Sequence, residues 1–147
     1  MKTAAPFPCS SKKIRGEKMK TILLVDDDSF IRQLLAKLFQ KNGFSVAEAD
    51  GVWSAKQFLE TDQAELVCSD LNMPDGNGFE LYNYNYVHQN YPNIGFMLLT
   101  NDLRLSVCNK ANEYGIPIEA KNSSVLIEKI AKQLNTGSPY EKQGRNP

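Results

Sequence analysis

The sequence predicts a doubly wound α/β domain: five strands in one parallel sheet, with five helices over its two faces. Three observations lead there. Short, mostly apolar runs of β-prone residues alternate with segments of helical periodicity, the pattern that βαβ crossovers produce. A chain of 147 residues, 41% of them hydrophobic, suits a single core better than two. Neither repeats nor low-complexity stretches interrupt residues 20–135.

The elements follow in chain order. A strand is expected at 21–25 and a helix at 29–40 (SFIRQLLAKLFQ), where Ile31, Leu34, Leu35, Leu38 and Phe39 share one apolar stripe and Asn42-Gly43 supplies the stop. Strand 44–49 and helix 52–60 come next, with Trp53 read as a packing residue. Strand 66–69 leads to a helix at 78–89. That segment contains LYNYNYVHQNY, in which Asn and Tyr alternate as in a strand, yet its place after Gly78 and the length a crossover needs favour helix. His88, the one histidine, is given no chemical role. Strand 95–99, helix 103–114, strand 116–119 and helix 124–134 complete the series, the last with Val125, Ile127, Ile130, Ala131 and Leu134 facing inward. Residues 1–19, a basic leader, and 136–147 mix Pro, Ser, Lys and Gly without periodicity and read as disordered tails around a domain at 20–135.

Charge and composition exclude several classes. Seventeen basic residues balance seventeen acidic ones, so the surplus on which non-specific nucleic-acid binding draws is missing, although six basic residues and one acidic fall within 1–20. Nucleic acid is therefore not an expected partner. No apolar run approaches the roughly 20 residues that span a bilayer, and the N-terminus lacks the apolar segment of a secretory signal. Cys9, Cys68 and Cys108 are an odd number without CxxC spacing, which fits a reducing cytoplasm, and Cys68 and Cys108 read as small core residues.

Right-handed crossovers put the ligand site of such a sheet at the carboxyl ends of its strands. The first strand runs into Asp26-Asp27-Asp28. Clustered carboxylates are costly unless something positive sits among them, and close oxygen ligands suit a hard cation such as Mg²⁺. Acidic residues equally suit the positive end of the following helix, where Asp28 or Ser29 is the expected cap. The third strand ends in Asp70 and continues through Asn72-Met73-Pro74-Asp75-Gly76-Asn77-Gly78, a turn-forming stretch. With the first and third strands adjacent, Asp26, Asp27 and Asp70 converge, and a carboxylate there can ligate metal, attack a phosphoryl group, or both. A solvated turn Asp is the plainer alternative. Thr100 after the fourth strand and Lys121 after the fifth add a hydroxyl and an ammonium, which phosphoryl transfer uses to neutralise developing charge.

The blocks ILLVDDDS, LVCSDLNMPDGNG and FMLLTN, with Lys121 downstream, resemble the receiver domain of two-component response regulators, the single-domain chemotaxis type included, over residues 20–135. The resemblance implies a flavodoxin-like sheet of strand order 2-1-3-4-5. It implies Asp70 as phosphoacceptor, Thr100 as hydrogen-bond donor to the phosphoryl group and Lys121 as its ion-pair partner. Asp26, Asp27, Asp70 and the backbone carbonyl of Asn72 would hold Mg²⁺ or Mn²⁺, while the side chains of Asn72, Asn101 and Asp102 occupy tuning positions. A sensor histidine kinase or a histidine phosphotransfer protein would be the donor. An output partner would read the face of the fourth helix, fifth strand and fifth helix. With few residues after Leu134, the expected function is a stand-alone cytoplasmic phosphorelay protein, not an enzyme acting on a separate substrate.

Three positions depart from the family pattern. Asn101 stands where a small residue is usual and would crowd the phosphoryl site, Asn122 follows Lys121 where proline is usual, and Ile118 replaces an aromatic. They motivate one alternative, a degenerate receiver that acts as a phosphate-independent interaction module. A second is a phosphohydrolase resembling the haloacid dehalogenases, with Asp26 as nucleophile and Asp28 as acid/base, against which Phe30 and the missing room for a cap both speak.

Overall fold

The computed structural model describes residues 19–87 and 93–136. Cys9, His88, the end of the expected helix 78–89 and both expected tails, up to 18 and from 137, lie outside them. The chain runs β1 (Thr21–Val25), α1 (Ser29–Lys41), β2 (Ser45–Ala49), α2 (Val52–Thr61), β3 (Leu66–Ser69), β4 (Asn72–Met73), β5 (Gly76–Asn77) and α3 (Gly78–Tyr82). A π-helical turn (Asn83–Val87) then leads to β6 (Gly95–Leu99), α4 (Leu105–Tyr114), β7 (Ile118–Glu119) and α5 (Leu126–Thr136).

The five parallel strands stand in the order β2-β1-β3-β6-β7, which is the expected 2-1-3-4-5 once β4 and β5, a separate two-residue hairpin, are set aside. The interior strands are nearly continuous apolar runs because helices cover both faces. Alternation divides them between two cores. Leu23, Val25, Val67, Phe96 and Leu98 meet Val52, Ala55, Leu59, Phe79, Tyr82 and Ala111 from α2, α3 and α4. Ile22, Leu24, Leu66, Cys68, Met97 and Leu99 meet Leu35, Ala36, Phe39, Leu126 and Ile130 from α1 and α5. Burial pushes the Cys68 thiol far up, so it is an inert core group, whereas Cys108 is only half-buried and not the core residue expected.

Three helical expectations need correction. α1 buries Leu35, Ala36 and Phe39 but leaves Leu34 51% and Leu38 38% exposed. The sheet covers only one narrow face of the helix, the one that carries Leu35 and Phe39, and Arg32 beside it reaches Glu48 of β2 at 2.9 Å. In α5 the inward residue of the first turn is Leu126, 1% exposed, while Val125 is 40% exposed; a turn ending with Leu126 N–H on the Ser123 carbonyl delays the helix past the expected start at 124. Trp53 is 67% exposed and packs no core, because it lies at the first turn of α2 on the face away from Val52 and Ala55. The fifth strand is also shorter than expected, with only Leu98 and Leu99 of β6 pairing to Ile118 and Glu119.

Of the Asn/Tyr segment, Leu81 and Tyr82 close α3 and Asn83–Val87 form the π-helical turn. Asn85 within it is wholly buried, and neither end of its carboxamide finds a hydrogen-bond partner among the described residues. The loop after β3 is pinned from a distance. Gly51 precedes α2 and has no side chain to cap it; instead Asp75 accepts from the Val52 and Trp53 amides, each at 2.9 Å. A Cβ on Gly51 would lie 2.7 Å from the Asp75 carboxylate, so glycine permits the approach. The two amides hold the Asp75 pKa below its ordinary 3.8.

Replacing Asn85 by Leu removes an unpaired buried amide and is expected to stabilise the fold by about 1–2 kcal/mol, read as a higher denaturation midpoint at unchanged m-value. Asp75→Ala is expected to cost about 1 kcal/mol at neutral pH, as loss of a helix cap does. Because the folded pKa of Asp75 is depressed, that contribution is complete above its unfolded value and disappears as pH falls through the folded one. Wild type and variant therefore converge in urea titrations below pH 3.8.

Candidate functional site

The carboxyl edge of the sheet gathers the residues that the sequence pattern singles out. Asp26 directly follows β1 and is 1% exposed, its amide donating to the Ala49 carbonyl at 3.0 Å. Asp70 directly follows β3, its amide donating to the Val25 carbonyl at 2.8 Å, so the β1–β3 ladder itself sets the two acids side by side. Asp27 is exposed beside them, and one carboxylate oxygen from each of the three lies within 4.8 Å of the others. Asp28 is the N-cap of α1, its Oδ1 accepting from the Phe30 and Ile31 amides.

Lys121 enters this cluster from the far side of the sheet. Its Nζ lies 2.8 Å from Asp26 Oδ2 and 3.3 Å from Asp70 Oδ1. Burial presses the ammonium pKa down, but the hydrogen bond to Asp26 and the charges of Asp70 and Asp26 outweigh it, and the net shift is upward. Asp70 is raised: burial dominates, and the neighbouring Asp26 adds to it against Lys121 and the Leu71 amide, which donates to Oδ1 at 2.8 Å. Oδ1 is thus occupied by two donors, and Oδ2 is the carboxylate oxygen left for chemistry.

Thr100 follows β6 at the same edge, 4% exposed, with its amide on the Glu119 carbonyl at 3.0 Å. Its hydroxyl oxygen accepts from the Asp102 amide at 3.0 Å, leaving the O–H to donate. The Asp102 carboxylate is forked onto Arg104 at 2.8 and 2.7 Å and not onto the acid cluster. Asn72 is exposed in the β4–β5 hairpin beside Asp70. Asn101 is exposed too, and its Oδ1 accepts from the Lys121 backbone amide at 3.3 Å. Among the described residues no peptide bond is cis, so Lys121 and Asn122 are joined in trans.

Some supports have no signature in the sequence. Arg32 donates to the Asp26 carbonyl at 2.7 Å, and the Ser69 hydroxyl donates to the Asp70 carbonyl at 2.8 Å. Gly78 is the exception that composition flags: a Cβ there would stand 2.9 Å from the Asp70 carbonyl and closer still to a Leu98 methyl, so the close turn after the acid requires glycine. As a donor set, three carboxylates with a nearby backbone carbonyl are all hard oxygens and fit a divalent cation such as Mg²⁺.

Residues 22–117 match the family described as the response regulator receiver domain. The chemotaxis protein CheY of Pseudomonas aeruginosa is 26% identical over 121 residues, covering 78% of this chain and 98% of that protein. The CAI-1 autoinducer sensor kinase/phosphatase CqsS of Vibrio cholerae is 27% identical over 124 residues, 82% of this chain but 18% of that protein. The chain likewise spans only 34% of the transcriptional regulatory protein GltR and 52% of the receiver protein CpdR. Among solved structures, a CheY-like receiver domain protein from Methanospirillum hungatei superposes with a TM-score of 0.71 at 25% identity, over 86% of this chain and 100% of that one. The signal receiver domain of an HD domain-containing protein from Pseudomonas fluorescens gives 0.72 at 30% identity, over 80% and 96%. The fold, the acid cluster and these matches agree, and the chain belongs to the response regulator receiver domain family of two-component signalling.

Proposed function

We propose that Asp70 is the phosphoacceptor of a stand-alone cytoplasmic receiver, charged by a phosphohistidine on a sensor histidine kinase or a histidine phosphotransfer protein. The observation that carries this reading is the convergence of Asp26, Asp27, Asp70 and Lys121, from three separate strand ends, on one cluster. Oδ2 of Asp70 attacks phosphorus as the phosphorus–nitrogen bond of the donor breaks, and the imidazole leaves. Lys121 pairs with the phosphoryl oxygens, and the Thr100 hydroxyl donates to them. Asp26, Asp27, Asp70 and the Asn72 carbonyl would hold Mg²⁺ or Mn²⁺, which when bound neutralises phosphoryl charge. The Asn72 side chain and Asp102 flank the site and tune how long the acyl phosphate lasts.

The same reading assigns two faces to partners. Phe30, Leu34 and Leu38 are exposed at successive i, i+4 positions along α1, a ridge that starts beside the acid cluster. A donor laid along it delivers its phosphohistidine to Asp70. Thr100, bonded through its backbone to β7, links phosphorylation to the α4, β7 and α5 face, where Leu103 and Leu105 offer exposed apolar surface to an output partner. Ile118, where an aromatic switch residue is usual, favours the alternative of an interaction module indifferent to phosphate.

Intact mass after incubation with acetyl phosphate and Mg²⁺ tests the central step. One phosphoryl adduct is expected on the wild type and none on Asp70→Ala; an adduct that survives this substitution, or maps to Asp26, overturns the assignment. Partner binding that ignores both Asp70→Ala and beryllofluoride would instead support the phosphate-independent module. Leu34→Glu is expected to slow transfer from a phosphorylated histidine phosphotransfer protein about tenfold more than it slows transfer from acetyl phosphate, since loss of one buried leucine contact is of that size.

A further inference from the structure

We infer that Asn101 is a positioning residue for Lys121, a side-chain tether that continues the β6–β7 pairing past the point where the backbone ladder stops. The inference rests on the reading of Lys121 as the cation that meets the phosphoryl group.

The distance to be covered sets the problem. Lys121 lies beyond β7, three strands from β1 in the sheet, or about 14 Å at the usual strand spacing. The lysine side chain, the 2.8 Å ion pair and the Asp26 side chain together only just cover it, so the contact depends on where the Lys121 backbone is held. The ladder gives it little help: only two residue pairs join β6 to β7, and the last backbone bond is Thr100 N–H to the Glu119 carbonyl. Ala120 to Ser123 then form a turn closed by the Ser123 amide on the Ala120 carbonyl at 3.1 Å, with Lys121 and Asn122 at its centre. Asn122 is exposed, and in a trans turn it imposes no direction on the residue before it.

Asn101 supplies the missing rung. Its own backbone is fixed on both sides, by the Thr100 amide on Glu119 and by the Asp102 amide on the Thr100 hydroxyl. From that base its Oδ1 accepts the Lys121 amide at 3.3 Å. The side chain is exposed and fills no core, and this bond ties it to the rest of the fold. One asparagine thus ties the residue after Thr100 to the backbone of the lysine, and the two groups that touch the phosphoryl oxygens share a single frame. Lysine has several rotatable bonds and brings no fixed geometry of its own, so its aim depends on where its Cα is held.

The test uses the full chain with acetyl phosphate and Mg²⁺, scoring the rate of Asp70 phosphorylation. Asn101→Ala is expected to slow it about fivefold, the effect of one lost hydrogen bond, with Mg²⁺ affinity by calorimetry unchanged because the metal-binding acids are untouched. Asn101→Asp keeps the accepting oxygen and is expected to recover most of the loss. In a Lys121→Ala background, Asn101→Ala should cost nothing further, and in the single variant the Lys121 amide should exchange its hydrogen faster. A wild-type rate in Asn101→Ala, or a loss that adds to that of Lys121→Ala, overturns the tether. If wild type itself takes no phosphoryl group, the phosphoacceptor reading has failed, and protection of the Lys121 amide still decides whether Asn101 holds it.

Discussion

The contact on which the site depends is the Lys121 ammonium lodged between Asp26 and Asp70. Two like charges 4 Å apart repel by about 4 kcal/mol at the effective dielectric of a protein surface, and here three carboxylates stand within 4.8 Å at the end of a buried sheet. Asp26 is nearly inaccessible to water, so its charge is poorly screened from outside. A cation must come from the protein or from solution. Lys121 provides the first, and the upward pressure on Asp70 shows that one ammonium does not fully offset burial and the neighbouring acid. An acid held in that condition favours whatever further positive charge the edge can recruit.

That interaction is also what makes the fold and its chemistry one problem. Asp26 and Asp70 are neighbours because β1 and β3 are paired in register, Val25 opposite Ser69. The pairing is dictated by two cores that claim alternate residues of each interior strand. Slipping β3 by one residue would turn Cys68 and Ser69 to the opposite cores and carry Asp70 out of reach of Lys121. The parallel ladder thus sets the geometry of the acids, and no separate device is needed for them.

Much of this was legible in the amino-acid order, and what was not has identifiable physical causes. Five apolar runs ending in Asp26, Ala49, Asp70, Thr100 and Lys121 announce strands whose carboxyl ends share an edge. Helix phase was less legible. Leucines at 34, 35 and 38 all satisfy a helical stripe, and only the tertiary choice of Leu35 and Phe39 as the buried face leaves Leu34 and Leu38 outside. Val125 and Leu126 are interchangeable in hydrophobicity, and a turn at Ser123 decides between them. The π-helical turn around Asn85 has no code that period analysis detects, because an extra residue in a helical turn changes the spacing without changing composition. The Asp75 cap is invisible for a different reason: the helix it serves begins 23 residues earlier in the chain.

The loops around the pocket divide the remaining work between polar residues at the surface. Short strands fix their own ends poorly: β7 contributes two paired residues and β4–β5 two pairs of its own. On one side Asp75 anchors the loop that carries Asn72 to the start of α2; on the other Asn101 anchors the loop that carries Lys121 to the end of β6. Both side chains are exposed, and each works through bonds to backbone amides, whose positions are set by the cores beneath. Bonds of this kind contribute little to global stability, because water competes for the same groups. Their value lies in direction, since an amide can be met only along its N–H axis. Placing the Asn72 loop and the Lys121 loop on such anchors lets stability reside in the buried strands, while the alignment of the groups around the acid cluster resides in single surface residues that can vary without endangering the fold.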